Sequence, residues 1–368
     1  MPFSGQITDY SQVGDIASLG TTVLTEMAQA FEQFPGDPIA QFFPMRNTMD
    51  PSVAIERVRQ GVGIAPLVEM GQPDTMTDSA LVDRRVVQPA HTRESDFVPQ
   101  HVINNLRQVG TMNEKVGREF ITDRVQRMTN RSNHFFAILR AMALLGGINY
   151  TDPRTGVTLN VNMQIPAGNL RDLTGLGATR TWDALATATA IRDLTIFRQK
   201  LYATAKTKPT HVVMRSDLKT LLDLNADIIA RVEGSGALNA TGFVEYRMGE
   251  LYAIAGMQVI TCDTLYDDPV TNTRKYVWPV HKVALVASRH EQASGEFVGR
   301  QDMCVGEDPM GRPGLWMRSG PDTSPPAPPG RSIQMGNTGL PYLRYPDWVG
   351  IMTVGVEATV QAKIDTVT

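Results

Sequence analysis

Six histidines and two cysteines are the side chains in this sequence best suited to binding a metal or attacking an electrophile: His91, His101, His134, His211, His281, His290, Cys262 and Cys304. A zinc or redox centre needs several such ligands at short turn or helix spacing. None of the eight pairs with another, or with a carboxylate, at a spacing that by itself points to a metal site. Two cysteines are too few for a disulfide framework and fit a reduced place of synthesis. His134 falls within a helical pattern, where a satisfied polar contact is the ordinary role. No Gly-x-Ser-x-Gly elbow occurs. Gly175-Leu176-Gly177 and Gly234-Ser235-Gly236 lack the preceding strand and following helix that a phosphate loop needs, so they read as loops. Asp267-Asp268 reads as turn chemistry. Asn239-Ala240-Thr241 is a glycosylation triplet that means nothing without secretion. The expectation is no catalytic residue, no cofactor and no metal.

Arginine is the other chemistry on offer. Its planar guanidinium suits multi-donor contacts with carboxylates. The first lysine is Lys115, so the leading third of the chain carries its positive charge on arginine alone. Two groups are prominent: Arg84, Arg85 and Arg93, and then Arg118, Arg124, Arg127 and Arg131.

The first group lies in a region that reads as extended. Gly71-Gln72-Pro73-Asp74 opposes helix, and Arg84 to Pro89 and Thr92 to Val98 read as strands of a polar hairpin turning at Ala90-His91. Such a hairpin is marginal alone in water and must lie against something. The second group lies on the clearest helix, residues 112–145. Val116, Ile121, Val125, Met128, Phe135, Leu139 and Met142 recur at helical spacing, the arginines fill much of the other side, and Gly146-Gly147 forms the stop.

Around these, residues 1–63 read as an arm with one amphipathic helix from Asp15 to Phe34, turning Ile16, Leu19, Val23, Met27 and Ala30 inward. Val157 to Ile165 has strand character. Thr181 is placed to cap a helix running to about Ala205. Thr210 to Met214 is a short buried strand, Ser216-Asp217 caps a second helix, and Ile228-Ile229 belongs to a third. Strands follow over Gly256–Asp263, Lys275–Val280 and Lys282–Ser288, then a proline-rich loop, Ser324-Pro325-Pro326-Ala327-Pro328-Pro329-Gly330. The alternation of Val354, Val356, Ala358, Val360, Ala362 and Ile364 with polar residues and a glycine reads as a closing strand.

The chain of 368 residues has 42% hydrophobic residues, enough for a large core, and a net charge of −3, which excludes a strongly basic nucleic-acid binder. Met1-Pro2-Phe3-Ser4-Gly5-Gln6 shows no basic region followed by an apolar stretch, so no signal peptide is expected. No apolar run is long enough to span a bilayer.

This α+β order of elements resembles the Hong Kong 97-type bacteriophage capsid fold, and within it the lambda-like major capsid proteins. The likeness rests on five features. One is Asp83 to His91 with Phe97-Val98-Pro99, at the place of the family's extended loop. The others are the helix from Arg118 through Arg140, Thr210 to Met214, Gly256 to Ile260 with Lys282 to Val286, and Arg344-Tyr345-Pro346-Asp347-Trp348 with the closing strand. It implies an arm (1–63), an extended loop (64–105), a peripheral domain with a spine helix (106–180), an axial domain with the proline-rich loop (181–344) and a return strand of the peripheral domain (345–368). It further implies a virion shell assembled in the host cytoplasm from hexamers and pentamers of this one chain, around double-stranded DNA held without sequence specificity. The implied partners are a portal, a maturation protease, a separate scaffold protein and a decoration protein; no membrane is involved. Some relatives weld the shell through an extended-loop lysine, but residues 64–105 contain none, so contacts are expected to be non-covalent. The seven arginines are then expected to meet acids on neighbouring copies. The alternatives are an encapsulin-like compartment of the same fold and a soluble α/β enzyme built on 181–288.

Overall fold

The computed structural model describes residues 20–30, 37–59, 81–107, 110–152, 154–205, 207–234, 244–247, 250–267, 273–287, 297–308, 311–321 and 330–367. The chain begins with α1 (Thr21–Ala30), β1 (Met45–Asn47), β2 (Val53–Arg59), β3 (Leu81–Val87), β4 (Ala90–Pro99), α2 (Gln100–Leu106) and α3 (Met112–Leu144). It continues through β5 (Gly147–Thr151), β6 (Thr158–Asn162), β7 (Leu170–Asp172), α4 (Ala190–Ala205), β8 (His211–Met214), α5 (Ser216–Asp223) and α6 (Ala226–Gly234). Next come β9 (Val244–Arg247), β10 (Glu250–Ile254), β11 (Met257–Thr261), β12 (Leu265–Asp267), β13 (Arg274–Tyr276) and β14 (Lys282–Val286). The last elements are β15 (Gly299–Met303), β16 (Trp316–Pro321), β17 (Gly330–Leu343), β18 (Val349–Thr353) and α7 (Glu357–Val367).

Two sheets organise these elements. The larger is mixed and seven-stranded, in the order β7-β18-β14-β8-β11-β10-β9. Its central strands are apolar without alternation because both faces are covered. Val212 and Met214 join a core with α4, α5 and α7, while Val213 points to the opposite core. The second sheet runs β1-β15-β17-β16, with β4 also paired to β17. Helix α3 spans both regions. Its first half, with Ile121, Val125 and Met128, packs with α1, α2 and this second sheet. Its last turns, with Phe136, Leu139 and Leu144, pack on the underside of the larger sheet. At about 1.5 Å per residue, its 33 residues make a rod of about 50 Å.

The helix expected over 112–145 and the strand pair after it are present. Five other expectations change. First, β3 does not pair with β4. It pairs antiparallel with β2, from Val53↔Val87 to Arg59↔Leu81, and β4 pairs with β17, from Gly330↔Pro99 to Gly339↔Ala90. Gln88 and Pro89 join two strands of different sheets rather than closing a hairpin, so β4 is satisfied within the chain. Second, the closing segment is helical. Gly355 interrupts the alternation, and Val360 and Ile364, four apart, become the buried pair while Val356 is exposed.

Third, the helix expected from Thr181 starts at Ala190. The Thr181 hydroxyl donates backward to Ala178 O at 2.8 Å and therefore caps nothing. Fourth, the face of α1 is rotated. Leu24, Thr25 and Ala28 are buried and Val23 is exposed, because the Thr25 hydroxyl engages both backbone groups of Met317 at the outer edge of β16. Fifth, the first turn of α5 is held by Asp263 Oδ1, which accepts from Ser216 N at 2.8 Å, and not by a side-chain cap at Ser216.

Strands on the two sides of residue 344 belong to different sheets. Those before it, β15 to β17, share a sheet with β4, and β18 after it lies between β7 and β14. The stretch Gly71–Asp74, the 234–236 loop beyond Gly234, the 268–269 turn and the proline-rich residues 322–329 lie outside the described residues.

Candidate assembly surface

The β2–β3 hairpin is fastened at its root. Val53 is buried, and Ile55 and Val87 pack against the main core. Arg57 donates to Asp347 Oδ1 at 3.2 Å and to Gln164 Oε1 at 3.5 Å, tying β2 to two separate loops. Between these anchors β3 turns other side chains outward. Arg84 stands opposite Glu56 in register and Arg85 opposite Ile55; both are exposed, as is Val86 at 64%. Neither arginine has an ion pair among the described residues. Among the described residues the hairpin therefore offers two exposed guanidiniums and an exposed apolar side chain.

The other expected arginines are distributed differently. Arg93 pairs with Glu307 at 2.9 Å, and Arg118 with Glu114 one helical turn away. Arg124 meets Asp96 at 2.9 Å, and Arg131 lies 3.8 Å from Glu94. Both acids come from β4, and the Arg124–Asp96 pair ties α3 to the edge of the sheet that carries β4. Arg127 is exposed without an ion pair among the described residues. Among the described residues four of the seven arginines thus have an acid within the chain, and Arg84, Arg85 and Arg127 do not.

One charged contact was not foreseen from the sequence. Arg140 and Asp37 form a buried pair, 3% and 1% exposed, with Nη2 to Oδ2 at 2.6 Å. Arg140 also donates through Nη1 to Gln301 Oε1 at 2.7 Å. Beside it, Ile39, Phe42 and Phe43 enter the main core. The segment after α1 is thereby clamped under the end of α3. The available signal was a lone charge in the apolar run Phe135–Leu144.

The histidines and cysteines do not converge. No group of three potential metal ligands occurs among the described residues. Burial pushes the thiols of Cys262 and Cys304 up to about 11, which keeps them protonated and poorly nucleophilic. Burial pushes the His211 and His281 imidazoles down. His91 Nδ1 lies 2.7 Å from the Thr338 hydroxyl, a contact between neighbouring strands. His290 lies outside the described residues. Among the described residues no helix is long and apolar enough to cross a membrane.

Comparison with known proteins places this geometry. A family model described as phage major capsid protein E matches residues 20–312. A solved structure assigned as a prophage capsid protein from E. coli CFT073 is 12% identical, with a TM-score of 0.61 over 92% of this chain and 99% of that one. A phage-related protein from Bordetella bronchiseptica is 10% identical, with a TM-score of 0.55 over 91% of this chain and 97% of that one. No curated protein sequence matches.

Proposed function

The chain belongs to the phage major capsid protein E family, and from that premise we propose that it closes an icosahedral shell of hexamers and pentamers around double-stranded DNA. Its role is structural, not enzymatic: copies of it assemble into the capsid, and it resides in the virion. The finer reading adds a portal, a separate scaffold protein and a decoration protein as partners, assembly in the host cytoplasm, and membership of the lambda-like branch. It takes DNA to be held without sequence specificity. The β2–β3 hairpin serves as the extended loop and residues before Asp37 as the arm. The sheet of β4, β15, β16 and β17 with α3 forms the peripheral part. The seven-stranded sheet with α4 to α7 forms the axial part.

The observation that carries the assembly reading is the hairpin, held at Val53 and Arg57 yet exposing Arg84, Arg85 and Val86, the two arginines without an ion pair among the described residues. An exposed strand pair of this kind is completed by another surface. Because residues 64–105 carry no lysine, the contact is non-covalent. Arg84→Glu with Arg85→Glu is expected to leave the subunit folded and to abolish most full-size shells in sedimentation. Normal shell yield from the double variant would remove the loop from the contact. Particles free of nucleic acid but carrying protein cargo would point instead to a compartment shell.

A further inference from the structure

The stretch from Arg124 to Arg171 holds six arginines and one acid, Asp152, in a chain whose net charge is −3. That acid is occupied by its own turn: Asp152 Oδ1 accepts from Arg154 N at 2.9 Å, and Oδ2 from the Thr155 hydroxyl at 3.0 Å. Two of the arginines are engaged elsewhere, Arg140 on buried Asp37 and Arg171 on Asp193. The other four come to the surface. Arg124, Arg127 and Arg131 stand three and seven positions apart along α3 and so share one face. Arg154, exposed in the turn between β5 and β6, lies near enough to Glu94 to influence its carboxyl, as Arg131 does.

The counter-charge is thin. Asp96 answers Arg124, and Glu94 stands 3.8 Å from Arg131, too far for a good hydrogen bond. Burial, the largest influence on Glu94, pushes its carboxyl up, against the pull of Arg131 and Arg154. Arg127 and Arg154 have no ion pair among the described residues. Four guanidiniums thus face three carboxylates, Glu94, Asp96 and the exposed Asp123 four positions before Arg127. Planar, permanently charged forks at this spacing suit phosphate oxygens.

We propose that the face formed by Arg124, Arg127, Arg131 and Arg154 is where the subunit meets the phosphates of packaged double-stranded DNA. The inference rests on the reading that the shell encloses DNA. A few phosphate contacts per subunit give a weak, sequence-independent and salt-sensitive hold. That suits a wall whose overall charge is slightly negative, since most of it then repels the duplex and lets it be packed and released.

The test uses unassembled full-length subunit and a short double-stranded DNA, read by fluorescence anisotropy across a salt series. Shell formation is followed separately by sedimentation. Arg127→Gln, at an exposed site without an ion pair, is expected to lower the slope of log affinity against log salt by about 1. The triple variant Arg127→Gln, Arg131→Gln, Arg154→Gln is expected to lower it by about 3 while still forming shells. Arg192→Gln, exposed on α4, is expected to leave the slope unchanged. The proposal is overturned if wild-type subunit does not bind the duplex, if the Arg127 and triple variants keep the wild-type slope, or if Arg192→Gln lowers it equally. It is overturned too if the triple variant folds but forms no shells, because the face is then a contact between copies. Native particles without nucleic acid absorbance would instead defeat the reading that the shell holds DNA.

Discussion

At the scale of single residues, two buried charges set the strongest expectations. Arg140 and Asp37 are both out of water and answer each other at 2.6 Å. Removing one partner of such a pair leaves the other charge stranded, at a cost of about 3–5 kcal/mol. Asp37→Ala is therefore expected to lower unfolding stability of the unassembled subunit by about that much, and adding Arg140→Met should recover a large part of it. A loss below about 1 kcal/mol in denaturant unfolding would show that the clamp holds nothing. Asp302 is the opposite case. Burial pushes its carboxyl up, against the pull of the Tyr342 hydroxyl and of Arg300 and Arg46, and its Oδ1 is buried without a partner among the described residues. With the folded value above the unfolded one, the native state binds more protons in the interval between them. Stability contributed by the protonated form is complete below the unfolded value and is lost as pH rises through the folded one. Asp302→Asn should thus be more stable than wild type at neutral pH, with the gap closing as pH falls below the ordinary carboxylate range. Thermal unfolding across pH checks this, and a gap independent of pH would contradict it.

At the scale of elements, α3 is held as much by its start as by its core face. The Thr111 hydroxyl accepts from Glu114 N at 3.3 Å, and Glu114 Oε2 accepts from Gly110 N at 2.6 Å, a reciprocal cap. Thr111→Ala is expected to cost about 1 kcal/mol, read as a lower denaturant midpoint with an unchanged slope. An unmoved midpoint would mean the long apolar face alone sets the end of the helix. The same element shows what periodicity can and cannot tell. Ile121, Val125, Met128 and Leu139 are buried as their spacing requires, while Val116, on the same pattern, is 55% exposed, because Leu106 of α2 packs over the adjacent Gly117 instead. Helix α7 is the converse. Its sequence alternates like a strand, yet Val360 and Ile364 satisfy a helical face equally well, and the pocket beside Val354 takes that face. At Gly336 only a missing side chain fits, since a Cβ there would come within 2.5 Å of the Trp316 ring in the neighbouring strand.

At the scale of the whole molecule, two sheets of the described residues are bridged by one long helix, with the β2–β3 pair fastened beside them at Val53 and Arg57. The assembly test on Arg84 and Arg85 and the duplex test on the α3 arginines address two different surfaces of that body. Much of this was legible in the chain alone. The length and limits of α3, the apolar strands around Val213 and Ala284, and the lack of ligand spacing among the histidines follow from local pattern, because helical period and double-sided burial are written into neighbouring residues. The arginine-rich, lysine-free composition of the hairpin region is likewise a property of the chain itself. Pairing was not legible. Whether β3 joins β2 or β4, and that β4 completes itself on β17 near the far end of the chain, depends on which edges are brought side by side. So does the rotation of α1 by the Thr25 contact with β16, and the burial of Arg140 on an acid more than a hundred positions earlier. A residue's period determines which neighbours share its face. Only the packed tertiary structure decides what that face meets, because partner, register and buried direction are chosen by the surface opposite.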